Sequence, residues 1–195
     1  MVSGEYEVAG ILPAGAIYLY TRDRTINTVE ELQGKKVATL DYDQASMTMV
    51  RHVGASVVGA STANFAGKFN NGSVDIAYAP AVAYTPLELY KGLGENGGIF
   101  DFSLAQMNFQ IIARKDRFPE GYGQKVRDYS ASRYEEAYEL VEVAKAEIDP
   151  KYWMKPTVDQ LDGYSKMLRE VRISLRDKGV YDGKALRLMR KVRCK

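Results

Sequence analysis

The sequence predicts an α/β protein, a layered sheet with parallel strand pairs, and three observations carry that prediction. Short runs rich in branched and aromatic residues alternate with short helical segments along the first 113 residues. Glycine and proline punctuate nearly every junction. Beyond Pro119 the character turns helical, with apolar residues recurring at three- and four-residue spacing. The 195-residue length, with 46% hydrophobic and 27% charged residues, fits one large globular domain or two small lobes.

Residues 5–21 read as extended structure broken at Gly10 and at Pro13-Ala14-Gly15, the run 16–21 having the content of a buried strand. Thr28 and Glu31 form a capping-box pattern that opens a short helix ended by Gly34. A strand over 35–40 leads through Asp41-Tyr42-Asp43-Gln44-Ala45-Ser46 into a helix over 45–52, closed by Gly54. Extended structure at 55–58, a short helix over 64–70 stopped by Gly72, and a strand over 74–78 ended by Pro80 follow. Thr85-Pro86 predicts the start of another helix, with Gly92 its exit, and residues 109–113 return as a strand. In the last third, Tyr134, Ala137, Tyr138, Val141, Ala144 and Ile148 define one apolar helix face, broken by Asp149-Pro150. Leu161, Tyr164, Leu168, Val171 and Leu175 define a second, closed by Gly179, and a third short helix is expected over 184–192.

Composition excludes several classes. One cysteine, Cys194, leaves no internal disulfide framework and no cysteine-based zinc cage. No apolar run approaches the roughly 18 residues of a spanning helix, so no transmembrane segment is expected. The first residues, Met1-Val2-Ser3-Gly4-Glu5-Tyr6-Glu7, carry acids where a secretion signal needs basic and then apolar residues. Read literally this means a cytoplasmic protein; the alternative is that a targeting segment, or more, is absent from the chain. The net charge of +2 conceals an asymmetry: residues 166–195 hold eleven Lys and Arg against three acids, whereas residues 1–165 hold sixteen against twenty-two. A basic tail on an acidic body suggests either an interaction surface or a solvated helix face.

Gly92-Leu93-Gly94-Glu95-Asn96-Gly97 matches G-x-G-x-x-G, but it follows a helix and precedes Ile99-Phe100, so a helix-exit loop is expected rather than a dinucleotide site. His52 has no recognisable nucleophile beside it and reads as structural. The more informative cluster is Asp41, Asp43, Gln44 and Ser46. In α/β sheets, ligands bind beyond the carboxyl ends of strands, where a following helix presents free amides. Tyr78 and Tyr84 follow the next strand, so both loops could open on one crevice; Asp43 could equally be only an N-cap and the tyrosines only packing. Gln110, on the returning strand, completes the candidate ligand set, and two acids at the rim favour a cationic or hydroxyl-rich solute. Arg169, Arg172 and Arg176 share a helix face, with Arg187, Arg190, Lys191 and Arg193 beyond, but no nucleic-acid motif accompanies them. No metal, cofactor or catalytic residue is expected.

The run Thr28-Val29-Glu30-Glu31-Leu32-Gln33-Gly34-Lys35-Lys36-Val37 resembles the helix-to-strand entry of the second lobe in periplasmic solute-binding proteins, and the stretch Lys68-Phe69-Asn70-Asn71-Gly72-Ser73-Val74-Asp75 is similar to a segment of the binding subunits of TRAP transporters. Three segments, Gly4-Glu5-Tyr6-Glu7-Val8-Ala9-Gly10, residues 64–72 and Lys151-Tyr152-Trp153-Met154, resemble the AdeT-like solute-binding proteins of Gram-negative bacteria. The resemblance implies a type II periplasmic-binding-protein-like second lobe with crossing strands, followed by C-terminal helices, with the first lobe largely absent. Residues 1–21 would then be a crossing strand and hinge, 22–105 the ligand-binding lobe, 106–118 the return strand and 119–195 the helical segment. The implied function is non-catalytic, extracytoplasmic capture of a small polar solute for a membrane transporter, in the periplasm. The alternative it implies is an accessory of a resistance-nodulation-division efflux system linked to aminoglycoside resistance, with efflux-pump components as partners. Where TRAP binding subunits place a carboxylate-clamping arginine, this chain reads Lys36-Val37-Ala38. Apolar helix faces left without a first lobe would stay partly exposed, and Cys194 would have lost an upstream partner.

Overall fold

A computed structural model describes residues 2–193. Its sheet has seven strands: β1 (Val2–Ser3), β2 (Tyr6–Thr21), β3 (Lys36–Leu40), β4 (Ser56–Ala60), β5 (Ile76–Pro80), β6 (Gly98–Arg114) and β7 (Trp153–Met154). The order is β4-β3-β5-β2-β6-β7, with β1 antiparallel on β2. Parallel pairing holds the centre: Lys36 to Leu40 of β3 run beside Ser56 to Ala60 of β4, and Val37 pairs with Ile76 of β5. Val37, Ala38 and Thr39 are buried consecutively, the mark of a strand covered on both faces. The expected α/β class with parallel pairs is what the chain adopts.

The helices are α1 (Gln44–His52), α2 (Phe65–Asn70), α3 (Leu89–Leu93), α4 (Tyr122–Ser132), α5 (Tyr134–Ala146), α6 (Val158–Asp177) and α7 (Gly183–Arg193). The chain divides into two compact units. One comprises Met1–Tyr18, Ala79–Leu87 and Ser103–Lys151; the other comprises Leu19–Tyr78, Glu88–Phe102 and Tyr152–Lys195. The boundaries fall inside β2, β5 and β6, so each of these strands contributes to both units. Helices α6 and α7 group with the parallel strands, whereas α4 and α5 belong to the other unit.

In the unit holding α4 and α5, β2 is one continuous strand, not a broken one. Its glycines mark close approaches instead: a Cβ at Gly10 would overlap the Ser130 side chain of α4, and one at Gly15 would overlap Val141 of α5. Arg127 of α4 adds an ion pair to Glu7 at 3.0 Å and donates to the Val8 carbonyl. Of the expected α5 face only Val141 and Ile148 are buried; Tyr134 and Tyr138 are each 47% exposed.

In the unit of parallel strands, the helices are short. Helices of five or six residues have no independent stability, and Arg22, just past β2, supplies what α2 and α3 lack. Its Nη1 donates to the carbonyl of Phe69 at 2.9 Å and of Gly92 at 3.0 Å, so one guanidinium caps both helix C-termini, where positive charge is favoured. Thr85-Pro86 does not open a helix as expected: α3 begins at Leu89, after Glu88 in the left-handed region at φ 52°. The capping box of Thr28 and Glu31 forms, but around a 3₁₀ turn, Glu30–Leu32. Hydrogen bonds from the Asn27 and Thr28 amides hold the Glu31 carboxyl below the usual carboxylate range. Helix α6 starts on a second capping box, Thr157 with Gln160. It buries Tyr164, Met167, Val171 and Leu175, so Met167 is covered in place of the expected Leu168, which is only partly buried, and Leu161 is 38% exposed. Tyr164 lies tilted against Phe100 and Phe102, with ring centroids 4.7 and 5.6 Å apart.

The glycines of the G-x-G-x-x-G match have packing roles in this unit. Gly94 is the C-cap of α3 with φ 55°, a Cβ at Gly97 would strike the carbonyls of Leu93 and Thr21, and one at Gly92 would overlap the ring of Phe69. Phe69 is fully buried and cannot swing away. Gly92→Ala is therefore expected to destabilise the chain by about 1–3 kcal/mol, lowering Tm by roughly 3–8 °C in a thermal melt. An unchanged Tm would contradict this packing.

Candidate functional site

The exit of β3 carries most of the candidate residues, all in the unit of parallel strands. Asp43 is the N-cap of α1, and its Oδ1 accepts from the Ser46 amide at 3.0 Å. Its Oδ2 accepts from Ser46 Oγ at 2.5 Å and from the Tyr78 hydroxyl at 2.9 Å. Tyr78 thus ties β5 to the start of α1; its own oxygen accepts weakly from the Leu40 amide at 3.4 Å. Behind it, Phe65 of α2 meets the Tyr78 ring edge-on at 5.4 Å. Burial pushes the Tyr78 hydroxyl up to about 12; the Ser46 hydrogen bond opposes that rise and the Asp43 charge adds to it.

Asp41 and Gln44 flank this cluster and are exposed. The Asp41 amide bonds the Ala60 carbonyl at 3.0 Å, and its carboxylate lies against Gly59 of β4, where any Cβ would strike Oδ1. Gly59 is small so that this carboxylate fits. Lys68 Nζ donates to the Gly59 carbonyl at 2.7 Å, bracing the same corner. The result is a rim with two carboxylates: Asp43 committed to three internal donors, and Asp41 exposed beside Gly59.

Five of the seven sequence candidates, Asp41, Asp43, Gln44, Ser46 and Tyr78, therefore lie on this rim. Tyr84 and Gln110 belong to the other unit, where Tyr84 is buried at the end of the 3₁₀ turn Ala81–Ala83 and Gln110 is exposed on β6, donating to Asn108 at 3.2 Å. The sequence pattern did not reveal Tyr181. It is half-buried, and burial raises its hydroxyl above the ordinary value; the Asp43 charge adds to that shift and Arg172 opposes it. No local motif marks Tyr181, because more than a hundred residues of chain separate it from Asp43. Sequence reading also missed a cleft of about 250 Å³ in the same unit, lined by Thr28, Val29, Glu30, Asp159, Gln160 and Gly163.

His52 pairs with Glu170 of α6 at 3.0 Å, linking the end of α1 to α6. Cys194 lies outside the described residues. Among the described residues no group of three His, Cys, Asp or Glu side chains is placed to hold a metal ion, and no helix is long and apolar enough to cross a membrane.

A family model described as "Solute-binding protein AdeT 1/2" matches residues 1–195. The chain is 45% identical to the "Probable solute-binding protein AdeT1" of Acinetobacter baumannii, over all of this chain and 64% of that protein. It is 24% identical to AdeT2 of the same organism, over all of this chain and 82% of that one. Among solved structures, the fold matches the periplasmic ectoine-binding protein of the TeaABC TRAP transporter of Halomonas elongata, with TM-score 0.72, 16% identity, and coverage of 89% of this chain and 58% of that one. It also matches a TRAP periplasmic solute-binding protein of Rhodoferax ferrireducens with bound malonate, with TM-score 0.72, 13% identity, and coverage of 94% and 60%. The chain thus spans less than two thirds of the length of AdeT1 and of these structural neighbours.

The Tyr78 hydroxyl gives the rim an alkaline signature. Its value is about 12 in the folded chain against an ordinary 10.0, so folding favours the neutral phenol. That contribution is complete below pH 10 and is lost as pH rises toward 12. Denaturation monitored from pH 9 upward should therefore show a steeper loss of stability in the wild type than in Tyr78→Phe across that window. Parallel curves would mean the hydroxyl is not held as described.

Proposed function

Because the chain belongs to the AdeT 1/2 family of solute-binding proteins, a non-catalytic family, we propose that it captures a small polar solute outside the cytoplasm, in the periplasm, and presents it to a membrane transporter. The observation that carries this reading to a place in the fold is the carboxylate rim at the exit of β3. Asp41 is exposed there, Asp43 is fixed by Ser46 and Tyr78, and Gln44 stands at the first turn of α1. The location accords with the rule that ligands of α/β sheets gather beyond the carboxyl ends of parallel strands.

The chemistry of the rim favours a ligand unlike malonate. Two carboxylates repel an anion and welcome an ammonium group or several hydroxyls. Val37 and Ala38 follow Lys36 where a clamping arginine would stand in the TRAP subunits that the sequence resembles. A cationic or hydroxyl-rich solute is therefore the proposed class. Asp43 orients the site and Asp41 makes the direct contact. This reading does not call on Tyr84 or Gln110.

The test is calorimetric titration of the folded chain with amino sugars, polyols and polyamines beside a series of dicarboxylates. Saturable binding is expected from the first group. Asp41→Asn should weaken it by roughly tenfold to a hundredfold, the loss of one charge-assisted hydrogen bond. Asp43→Asn preserves an N-cap, so the fold should persist while affinity falls. Selective binding of dicarboxylates, or binding indifferent to Asp41→Asn, would overturn the assignment.

A further inference from the structure

Helix α7 presents a second surface that solute capture does not use. Asp182 founds the helix: its Oδ1 accepts from the amides of Lys184 and Ala185 at 2.8 and 2.7 Å. Along Gly183–Arg193 the chain reads GKALRLMRKVR, with five Lys or Arg and no acid. Ala185, Leu188, Met189 and Val192 recur at three- and four-residue spacing, so they share one stripe about a quarter-turn to a third of a turn wide. Leu188 is 65% exposed and Val192 66%. Lys184 and Lys191 lie to the side of that stripe, whereas Arg187 lies on the opposite face and approaches Gly183 together with Arg176 from the end of α6. Exposed leucine and valine flanked only by cations, on a helix whose N-terminus is capped, are not the pattern of a solvated face.

We propose that α7 seats the protein on an anionic lipid surface. The stripe of Ala185, Leu188, Met189 and Val192 enters the headgroup boundary, and the long side chains of the flanking Lys184 and Lys191 reach back to lipid phosphates. Charge complementarity selects the occupant: residues 166–195 carry eleven Lys and Arg against three acids, a strong attraction to a negatively charged leaflet. An acidic protein could meet the charges, but it would need a groove shaped to Leu188 and Val192. Lipid accepts the stripe without any matching shape. The helix is far too short to span a bilayer, so the contact is superficial and reversible, suited to a protein that must approach a membrane partner and leave it.

Co-sedimentation of the full chain with vesicles of phosphatidylcholine alone, and of phosphatidylcholine mixed with phosphatidylglycerol, tests this. Binding is expected only to the mixed vesicles and should fall as salt rises. Lys184→Gln with Lys191→Gln should weaken it roughly twentyfold to thirtyfold, about fivefold for each cation removed. Leu188→Glu with Val192→Glu should abolish it. These positions are exposed, so circular dichroism and Tm should match the wild type in both variants. Absence of binding, equal binding to neutral vesicles, or wild-type binding by the Leu188→Glu, Val192→Glu variant would overturn the proposal. So would retention on immobilised polyglutamate that exceeds vesicle binding and ignores the Leu188 and Val192 changes, since that would assign α7 to an acidic protein.

Discussion

The carboxylate of Asp43 is the point on which the candidate site depends. It accepts from the Ser46 amide, the Ser46 hydroxyl and the Tyr78 hydroxyl, and so joins the start of α1 to β5 across the exit of β3. Each of those donors would otherwise be a polar group at the edge of an apolar layer, costly to leave unmade. Because Asp43 is spent on this internal task, Asp41 is left as the exposed carboxylate of the pair. One acid builds the rim, and the other is the one proposed to meet the solute.

Around that point the unit is held by parallel strands and by few polar anchors. Val37, Ala38 and Thr39 bury the middle strand on both faces, and Arg22 closes the two shortest helices with one guanidinium. Phe69 packs against Gly92 at the same junction, so the helix termini that Arg22 caps are also in close contact with each other. The His52–Glu170 pair then links α1 to α6, placing the C-terminal helices in the same unit as the rim. These are short-range devices, and they suit a lobe whose helices are too short to persist alone.

Much of this organisation was legible in the sequence. The strands around 35–40 and 55–58 and the Asp43 and Thr28 caps follow from residue types whose local physics is nearly independent of context, whereas the exit expected at Gly92 comes two residues later, with Gly94 the C-cap of α3. Other features depended on what lies opposite. Gly10 and Gly15 read as breaks, but α4 and α5 approach there and only glycine leaves room. Thr85-Pro86 has the local form of a helix start, yet the chain delays the helix to Leu89. Met167 rather than Leu168 is the side chain fully covered on α6, because the facing surface, not the period alone, decides which side chains are buried. At the candidate site, Asp41, Asp43, Gln44 and Ser46 could be named from their position after a strand, while Tyr78 proves to lie within β5. Tyr181 could not, since it comes near Asp43 only through the tertiary path of the last two helices.

The most direct test of the central claim is amide hydrogen exchange across the whole chain, with and without a saturating solute found by titration. If the rim at the exit of β3 holds the solute, new protection will concentrate in residues 41–46 and around Tyr78. Protection confined to residues 28–30 and 159–163, the walls of the separate cleft, with residues 41–46 unchanged, would contradict the account.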